Sequence, residues 1–142
     1  MTTPGTITFH ATCVALNGRG VLITGASGTG KSALALELMA RGAELVSDDG
    51  VMLRLIDGVP VASAPAAIRG MIEARGVGLL AAETCPAAPV VLVVDLDHPE
   101  TERLPPMRET RLLDVPVPLV HNCVYPHFPA AILQYLKGGR RA

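Results

Sequence analysis

The sequence predicts an α/β domain with a mixed sheet, opened by an N-terminal β-hairpin and built around one strand–loop–helix unit. Three observations support this class. Short apolar runs rich in Val, Ile and Thr recur along the chain, whereas only one early segment has the pattern of an amphipathic helix. A glycine-rich loop joins one of these runs to that helix. Asn17-Gly18 separates the first two runs, and this pair favours the left-handed backbone of a tight hairpin turn.

The expected strands are the apolar runs, and the turns between them set their directions. The first hairpin makes the first two strands antiparallel, and Asp57-Gly58 predicts a second hairpin. A doubly wound sheet would alternate strand and helix throughout, so two hairpins indicate a mixed sheet instead. The expected strands are residues 7–16, 20–24, 44–46, 51–56 and 90–96.

Two helices are expected. Residues 31–41 have an apolar face and end before Gly42, which is typical of a helix C-cap. Residues 129–136 predict a terminal helix with Ile132, Leu133 and Leu136 turned inward, and a basic tail follows it. The remaining segments are ambiguous: residues 64–68 could form a strand, the glycines within 70–80 suggest a loop against a ligand or a neighbouring subunit, and the prolines within 99–118 suggest an ordered edge segment or a mobile loop.

Composition limits the classes of function. A chain of 142 residues with 49% apolar content predicts a single domain over residues 1–142, in which 130–142 are the terminal helix and tail. The net charge of −1 argues against nucleic acid as a partner. The sequence has neither a secretion leader nor an apolar run long enough to span a membrane. Its three cysteines lack the C-x-x-C spacing of zinc and redox sites, which favours a reducing cytoplasm.

The glycine-rich loop fits the phosphate-binding (P-loop) pattern G-x-x-x-x-G-K-[ST]. Its residues are Gly25, Ala26, Ser27, Gly28, Thr29, Gly30, Lys31 and Ser32. In such a loop, backbone N–H groups surround the β-phosphate, the lysine reaches the β- and γ-oxygens, and the final hydroxyl ligates Mg²⁺. The helix that follows directs its positive end toward the anion. The loop therefore predicts that the chain binds a nucleoside triphosphate.

A pair of carboxylates, Asp48 and Asp49, follows a short apolar strand after the loop helix. One carboxylate can bind Mg²⁺, while the other can accept a proton from a hydroxyl that attacks the γ-phosphate. Neighbouring residues of a strand point to opposite faces, so different roles are expected. Asp95, which ends a second apolar strand, competes for the magnesium role. The position of Asp48 favours it if its strand lies beside the loop strand, which leaves Asp95 as an outer contact or a strand end.

His10 is the third candidate for the site. It lies on the first strand, and the hairpin folds this part of the chain back toward the glycine-rich loop. We therefore expect His10 near the bound phosphates. Alone, it would more often be an ordinary strand histidine.

These features together resemble the catalytic domain of bacterial HPr kinase/phosphorylase over roughly residues 9–80. The match rests on His10, the hairpin, the loop with its helix, Asp48-Asp49 and residues 72–78. The resemblance implies a fold related to the phosphoenolpyruvate carboxykinases, in a short form without the family's N-terminal regulatory domain. It also implies ATP and Mg²⁺ as cofactors and ring-like homo-oligomers, which are hexamers in the family.

The resemblance further implies an activity. The chain would be a protein-serine kinase acting on HPr, a small phosphocarrier protein of the sugar phosphotransferase system, and in the family the same site removes the phosphate by phosphorolysis. Asp48 would be the general base, assisted by Asp49, with His10 tuning it. Ser32 and Glu73 resemble the magnesium ligands.

The chain also departs from the family pattern. Ala26 stands where the family often has an acidic residue, and the later proline-glycine-arginine-asparagine segment has no clear match. The arginine it supplies could come from Arg103, Arg108 or Arg111, so phosphorolysis is less well supported than the kinase reaction.

Three alternatives remain open. A small-molecule P-loop kinase would need an arginine-rich lid and a nucleoside pocket. A nucleotide-dependent switch without catalysis would not need Asp48 and His10 together. A zinc site is a weaker possibility at His121, Cys123 and His127.

Overall fold

The chain alternates short strands with tight turns, and two of its segments form α-helices. The computed structural model describes residues 5–142. The strands are β1 Ile7–Phe9, β2 Thr12–Leu16, β3 Arg19–Thr24, β4 Glu44–Ser47, β5 Val51–Ile56, β6 Val59–Ser63, β7 Met71–Ala74, β8 Gly78–Ala81, β9 Ala87–Pro99, β10 Arg108–Leu112 and β11 Val115–Asn122. The helices are α1 Lys31–Ala40 and α2 Phe128–Gly138, and a 3-10 turn spans Ala66–Ile68.

Nine strands form one mixed sheet in the order β1-β5-β6-β9-β3-β2-β4, with β11 and then β10 attached through β9. The long strand β9 pairs with β6 through its first residues and with β11 through its later ones. It also runs parallel to β3. β7 and β8 form a separate two-stranded hairpin. The mixed α/β fold predicted from the sequence is therefore confirmed.

The two turn pairs behave as predicted. Asn17 and Gly18 have φ values of 52° and 76°, and Asp57 and Gly58 have the same values. Positive φ at both central residues is the requirement of a type I′ turn, whose twist matches that of the strands it joins. These turns set the β2–β3 and β5–β6 hairpins.

Both predicted helices are present. Helix α1 begins at Lys31 and ends one residue before the predicted boundary, where the N–H groups of Gly42 and Ala43 donate to the carbonyls of Met39 and Leu38. Helix α2 buries Ile132, Leu133 and Leu136, as the sequence predicted. Among residues 5–142, no helix is long and apolar enough to cross a membrane.

Alternate residues of the central strands face two separate apolar cores. On β3, Val21 and Ile23 pack on the side that carries both helices, whereas Leu22 packs on the opposite side. Leu38 of α1 is completely buried in the first core, and burial of such a side chain contributes about 1.5–3 kcal/mol. The helices are thereby fixed against the strand that precedes the loop.

The predicted first strand is in fact two strands. The break falls at His10 and Ala11, because β1 pairs with β5 whereas β2 pairs with β3 and β4. The chain must bend there to reach different neighbours, and this bend directs His10 away from the sheet toward the glycine-rich loop.

Two other expectations were wrong. Residues 64–68 form no strand, since Pro65 precedes the 3-10 turn. Residues 70–80 are not a loop but most of the β7–β8 hairpin, with Gly76 in its turn. Within 99–118 the ordered alternative holds, because β10 and β11 form an edge ladder. Pro116 and Pro118 of β11 precede Leu119, where pairing with β9 begins, so these two prolines remove no N–H group of β11 from its ladder with β9.

Candidate active site

The predicted site residues meet at one edge of the sheet. Strands β3, β9 and β11 are parallel, so their carboxyl ends share this edge. Strand β2 is antiparallel to both β3 and β4, which places the start of β2 and the end of β4 at the same edge. The glycine-rich loop, His10 and the aspartate pair therefore converge from three separate segments. Ligands of open α/β sheets bind at such an edge.

The loop has the backbone that close approach to phosphates requires. Gly25 has a φ of 149°, and a Cβ there would lie 2.6 Å from Thr29 Oγ1 and 3.2 Å from Leu96 Cβ. A side chain at position 25 would therefore force the loop open. Gly28 and Gly30 also have positive φ, and Gly30 is the N-cap of α1. The first turn of a helix leaves N–H groups without intrahelical acceptors, and here they face the loop.

Lys31 is buried beneath the loop. Its Nζ donates to the carbonyl oxygens of Gly25 and Ala26 at 2.7 and 3.1 Å. A single ammonium thus holds two consecutive carbonyl groups at the start of the loop and places a positive charge beside the expected position of the phosphates of a nucleotide.

Asp48 is an internal anchor of the site. It is only 7% exposed. Its Oδ1 accepts hydrogen bonds from Ser32 Oγ at 2.6 Å and Thr12 Oγ1 at 3.1 Å, and its Oδ2 accepts from the Glu73 N–H at 3.0 Å. The carboxylate therefore joins the start of α1 to β2 and β7. Donors surround both of its oxygens, as a buried charge requires.

Asp49 faces the opposite way, into the cleft. Its φ is 56°, a left-handed conformation that aspartate tolerates better than most residues. The side chain is 66% exposed, and its Oδ1 lies 3.2 Å from His10 Nδ1. The other ring nitrogen of His10, Nε2, lies 3.4 Å from Ser27 Oγ. His10 thus joins Asp49 to the glycine-rich loop.

An open cleft of about 560 Å³ lies in front of these groups. Asp49 lines it and Asp48 does not. Residues of β7 and its turn also line it, including Glu73 and Arg75. Glu73 was expected near the metal, whereas no role was predicted for Arg75. The only feature of the sequence that could have indicated a role for Arg75 in the site was its position between Glu73 and the glycines of the turn.

Strand β4, which leads to the aspartate pair, does not lie beside the loop strand as the position of Asp48 had suggested. It lies beside β2, whereas the neighbour of β3 is β9, with Asp95 opposite Thr24. Asp95 pairs with His98 at 2.6 Å instead of with the loop hydroxyl. Asp97, two residues later, accepts from the Ala26 N–H at 3.0 Å. Strand β9 therefore supports the loop from outside, and Asp48 still reaches the hydroxyl at the start of α1.

The other arginines and the histidine–cysteine segment have different surroundings. Arg108 pairs with Glu100 at 3.2 Å, and Arg111 donates to the carbonyl oxygen of Asp114. Neither arginine lines the cleft. His121 stacks on His98 and His127 on Tyr125. Within residues 5–142, no group of three or more His, Cys, Asp or Glu side chains could hold a metal ion, so this part of the chain does not form the suggested zinc site.

Known proteins of one family are similar to this chain in sequence and in fold. The HPr Serine kinase C-terminal domain family matches residues 3–121. The structure of the Hpr(Ser) kinase/phosphatase from Coxiella burnetii is similar, with a TM-score of 0.77 and 26% identity, over 92% of this chain and 88% of that one.

Curated sequences show the same relationship over a shorter stretch. HPr kinase/phosphorylase of Clostridium botulinum (strain Eklund 17B) is 48% identical over 71 residues, and that of Clostridium kluyveri (strain NBRC 12016) is 49% identical over 71 residues. The match covers 50% of this chain but only 23% of each relative. Because the family match spans most of the chain, this protein belongs to the HPr serine kinase C-terminal domain family.

Proposed function

We propose that the chain is an ATP-dependent protein kinase that phosphorylates a serine of an HPr-type phosphocarrier protein. The observation that carries this proposal is the hydrogen-bonded circuit around the loop. Ser32 at the start of α1 bonds to Asp48, and Asp49 pairs with His10, which returns to Ser27 of the same loop. A nucleotide bound to the loop would therefore have the ionisable side chains of Asp49 and His10 close to its terminal phosphate.

The residues present fit Mg²⁺ and ATP. Mg²⁺ prefers oxygen ligands and is usually held by one or two carboxylates together with the phosphates of the substrate. Ser32 and Glu73 line the cleft and offer such oxygens, and the buried carboxylate of Asp48 adds negative charge behind them through its hydrogen bond to Ser32. When bound, the ion would neutralise charge on the phosphates. Lys31 and the N–H groups at the start of α1 would hold the same phosphates.

For the general base we propose Asp49 rather than Asp48. Both oxygens of Asp48 already accept hydrogen bonds inside the protein, and its side chain does not reach the cleft. Asp49 is exposed in the cleft and has His10 beside it. Asp48 would then fix Ser32 and supply negative charge near the metal.

In the proposed step, the acceptor serine hydroxyl attacks the γ-phosphorus, its O–H proton passes to Asp49, and the bond from phosphorus to the bridging β-oxygen breaks. ADP and phosphoserine are the products. Most of the acceleration in such reactions comes from positioning and charge stabilisation, and a base contributes about 10²–10⁴-fold.

The reverse reaction with inorganic phosphate would need a further cation in the cleft. Arg75 could supply it, since it lines the same cleft as the loop residues. We include phosphorolysis in the proposal on this basis, with Arg75 as the candidate that replaces the family's later arginine.

The setting and assembly follow from the same proposal. Cys13, Cys85 and Cys123 are free thiols, which suits a cytoplasmic enzyme supplied with ATP. Val77 and Leu79 are 77% and 69% exposed beside the cleft, which favours a homo-oligomer, a hexamer by resemblance. Light scattering that shows a monomer at micromolar concentration would contradict the assembly.

The test is phosphotransfer from γ-labelled ATP with Mg²⁺ to purified HPr-type carriers. We expect label on a carrier serine, and its loss in Lys31→Met and Asp49→Asn. Addition of inorganic phosphate to the labelled carrier should release labelled pyrophosphate. If the chain binds ATP but labels only small molecules, it is a small-molecule kinase; if it binds ATP and labels nothing, it is a nucleotide-dependent switch.

A further inference from the structure

Thr12 lies between the two aspartates and contacts both. Its side chain is completely buried at the start of β2. The hydroxyl donates to Asp48 Oδ1 at 3.1 Å and accepts from the backbone N–H of Asp49 at 3.2 Å. The same hydroxyl is therefore a hydrogen-bond donor to Asp48 and a hydrogen-bond acceptor for Asp49.

Asp49 is held from two sides as a result. Thr12 binds its amide, and His10, two residues before Thr12, pairs with its carboxylate. His10 lies in the bend between β1 and β2, and Thr12 is the first residue after it. Aspartate tolerates a left-handed backbone better than most residues, and at Asp49 these two contacts stabilise that conformation further.

We propose that Thr12 is a positioning residue for phosphotransfer, which keeps Asp49 in its left-handed conformation and so aims its carboxylate at the acceptor hydroxyl. Without the hydroxyl, the Asp49 N–H has no partner and the backbone can relax toward a right-handed conformation. Asp48 then retains Ser32 and the Glu73 N–H as donors, so the phosphate-binding side of the site stays in place.

Two substitutions separate the hydroxyl from the shape of the side chain. Thr12→Val keeps the branched shape and the packing of the buried strand but removes the hydroxyl. Thr12→Ser keeps the hydroxyl and removes a methyl group. A purely structural role for the buried side chain predicts that both variants behave alike or that the serine variant is worse.

Because this role presupposes the phosphotransfer proposed above, the first readout is steady-state transfer to the carrier. In Thr12→Val we expect kcat to fall by roughly 10- to 100-fold, the cost of a misplaced catalytic group. The KM for ATP should change little, because nucleotide contacts are retained. Thr12→Ser should recover most of the wild-type kcat. An unchanged kcat in Thr12→Val, or an equal loss in Thr12→Ser, would overturn the assignment.

Amide hydrogen exchange supplies a readout that does not depend on the acceptor. The Asp49 N–H should exchange faster in Thr12→Val than in the wild type and Thr12→Ser, while amides of the central strand β3 keep their protection. Equal exchange at Asp49 in all three proteins would overturn the positioning role even if no carrier is ever labelled. Absence of transfer in the wild type, with the exchange difference present, would instead contradict the proposed kinase function and leave the clamp on Asp49 supported.

Discussion

The adjacent aspartates allow one chemical change to be made in two opposite environments. Replacement of either Asp48 or Asp49 by asparagine removes a charge and keeps the shape of the side chain. Asp48 is buried and accepts three hydrogen bonds, whereas Asp49 is mostly exposed. We expect the first variant to be damaged mainly in stability and metal-dependent binding, and the second mainly in catalysis.

The size of the effect at Asp48 follows from its partners. In one orientation of the side-chain amide that Asp48→Asn introduces, the NH₂ group faces the Glu73 N–H, so two donors meet. In the other orientation, the NH₂ group faces Thr12 and Ser32, and the buried Thr12 hydroxyl loses its acceptor. Either orientation leaves one buried donor without a partner, at a cost of about 1–3 kcal/mol. The free energy of unfolding should fall by about that amount.

At Asp49 the same change should leave stability within about 0.5 kcal/mol, because the side chain is exposed and asparagine also tolerates a left-handed backbone. Transfer should nevertheless fall by about 10²–10⁴-fold while ATP still binds. Urea denaturation, ATP titration and the transfer assay on both variants measure these quantities. If Asp49→Asn transfers normally while Asp48→Asn loses transfer with unchanged stability and ATP binding, Asp48 is the base and the assignment to Asp49 is refuted.

Three further predictions concern backbone, pH and thiol chemistry. Asp49→Ala should be less stable than Asp49→Asn by about 1–2 kcal/mol, because alanine lacks the tolerance of asparagine for positive φ; equal urea midpoints would contradict this. Partial burial raises the pKa of Glu100, but hydrogen bonds from two backbone N–H groups and a guanidinium outweigh it, so that pKa lies below its ordinary value. A carboxylate whose pKa is lowered by folding stabilises the fold at pH values above its unfolded-state pKa. This stabilisation is lost as the pH falls through the folded-state pKa, so the urea midpoints of wild type and Glu100→Gln should converge at acidic pH; a constant difference would refute this prediction. Cys13 is fully buried and burial raises its pKa, so native alkylation followed by mass spectrometry should label Cys85 and Cys123 first, and early labelling of Cys13 would be inconsistent with the structure.

The sequence predicted those parts of the fold that local chemistry determines. Both hairpins followed from residue pairs that adopt positive φ, and α1 followed from its apolar face and its terminal glycine. The bend at His10 and Ala11 gave no local signal. Ala11 is fully buried, and the apolar pattern continues through it, because the break results from pairing with distant strands.

The β7–β8 hairpin escaped prediction for a different reason. All residues of β8 are exposed, including Leu79. β7 does alternate between exposed and buried residues, but its sequence Met-Ile-Glu-Ala shows no apolar–polar alternation from which a half-buried strand could be recognised. The same segment carries Arg75, which consequently had no structural context in the sequence. Thr12 was missed because a threonine inside an apolar strand is ordinary until its neighbours in space are known.

The sequence predicted correctly that the side chains of Asp48 and Asp49 point in different directions, but the reason was incomplete. Alternation along a strand predicts that the two side chains diverge, yet β4 ends at Ser47, before either aspartate. The divergence comes from a corner: the Ser47 hydroxyl donates to the Gly50 carbonyl, and Asp49 adopts a positive φ within that corner. One carboxylate is thus kept inside the protein with fixed donors, and the next residue is free to meet a substrate. A corner of this kind needs an outside support for its strained residue, and the buried Thr12 hydroxyl on the neighbouring strand supplies it.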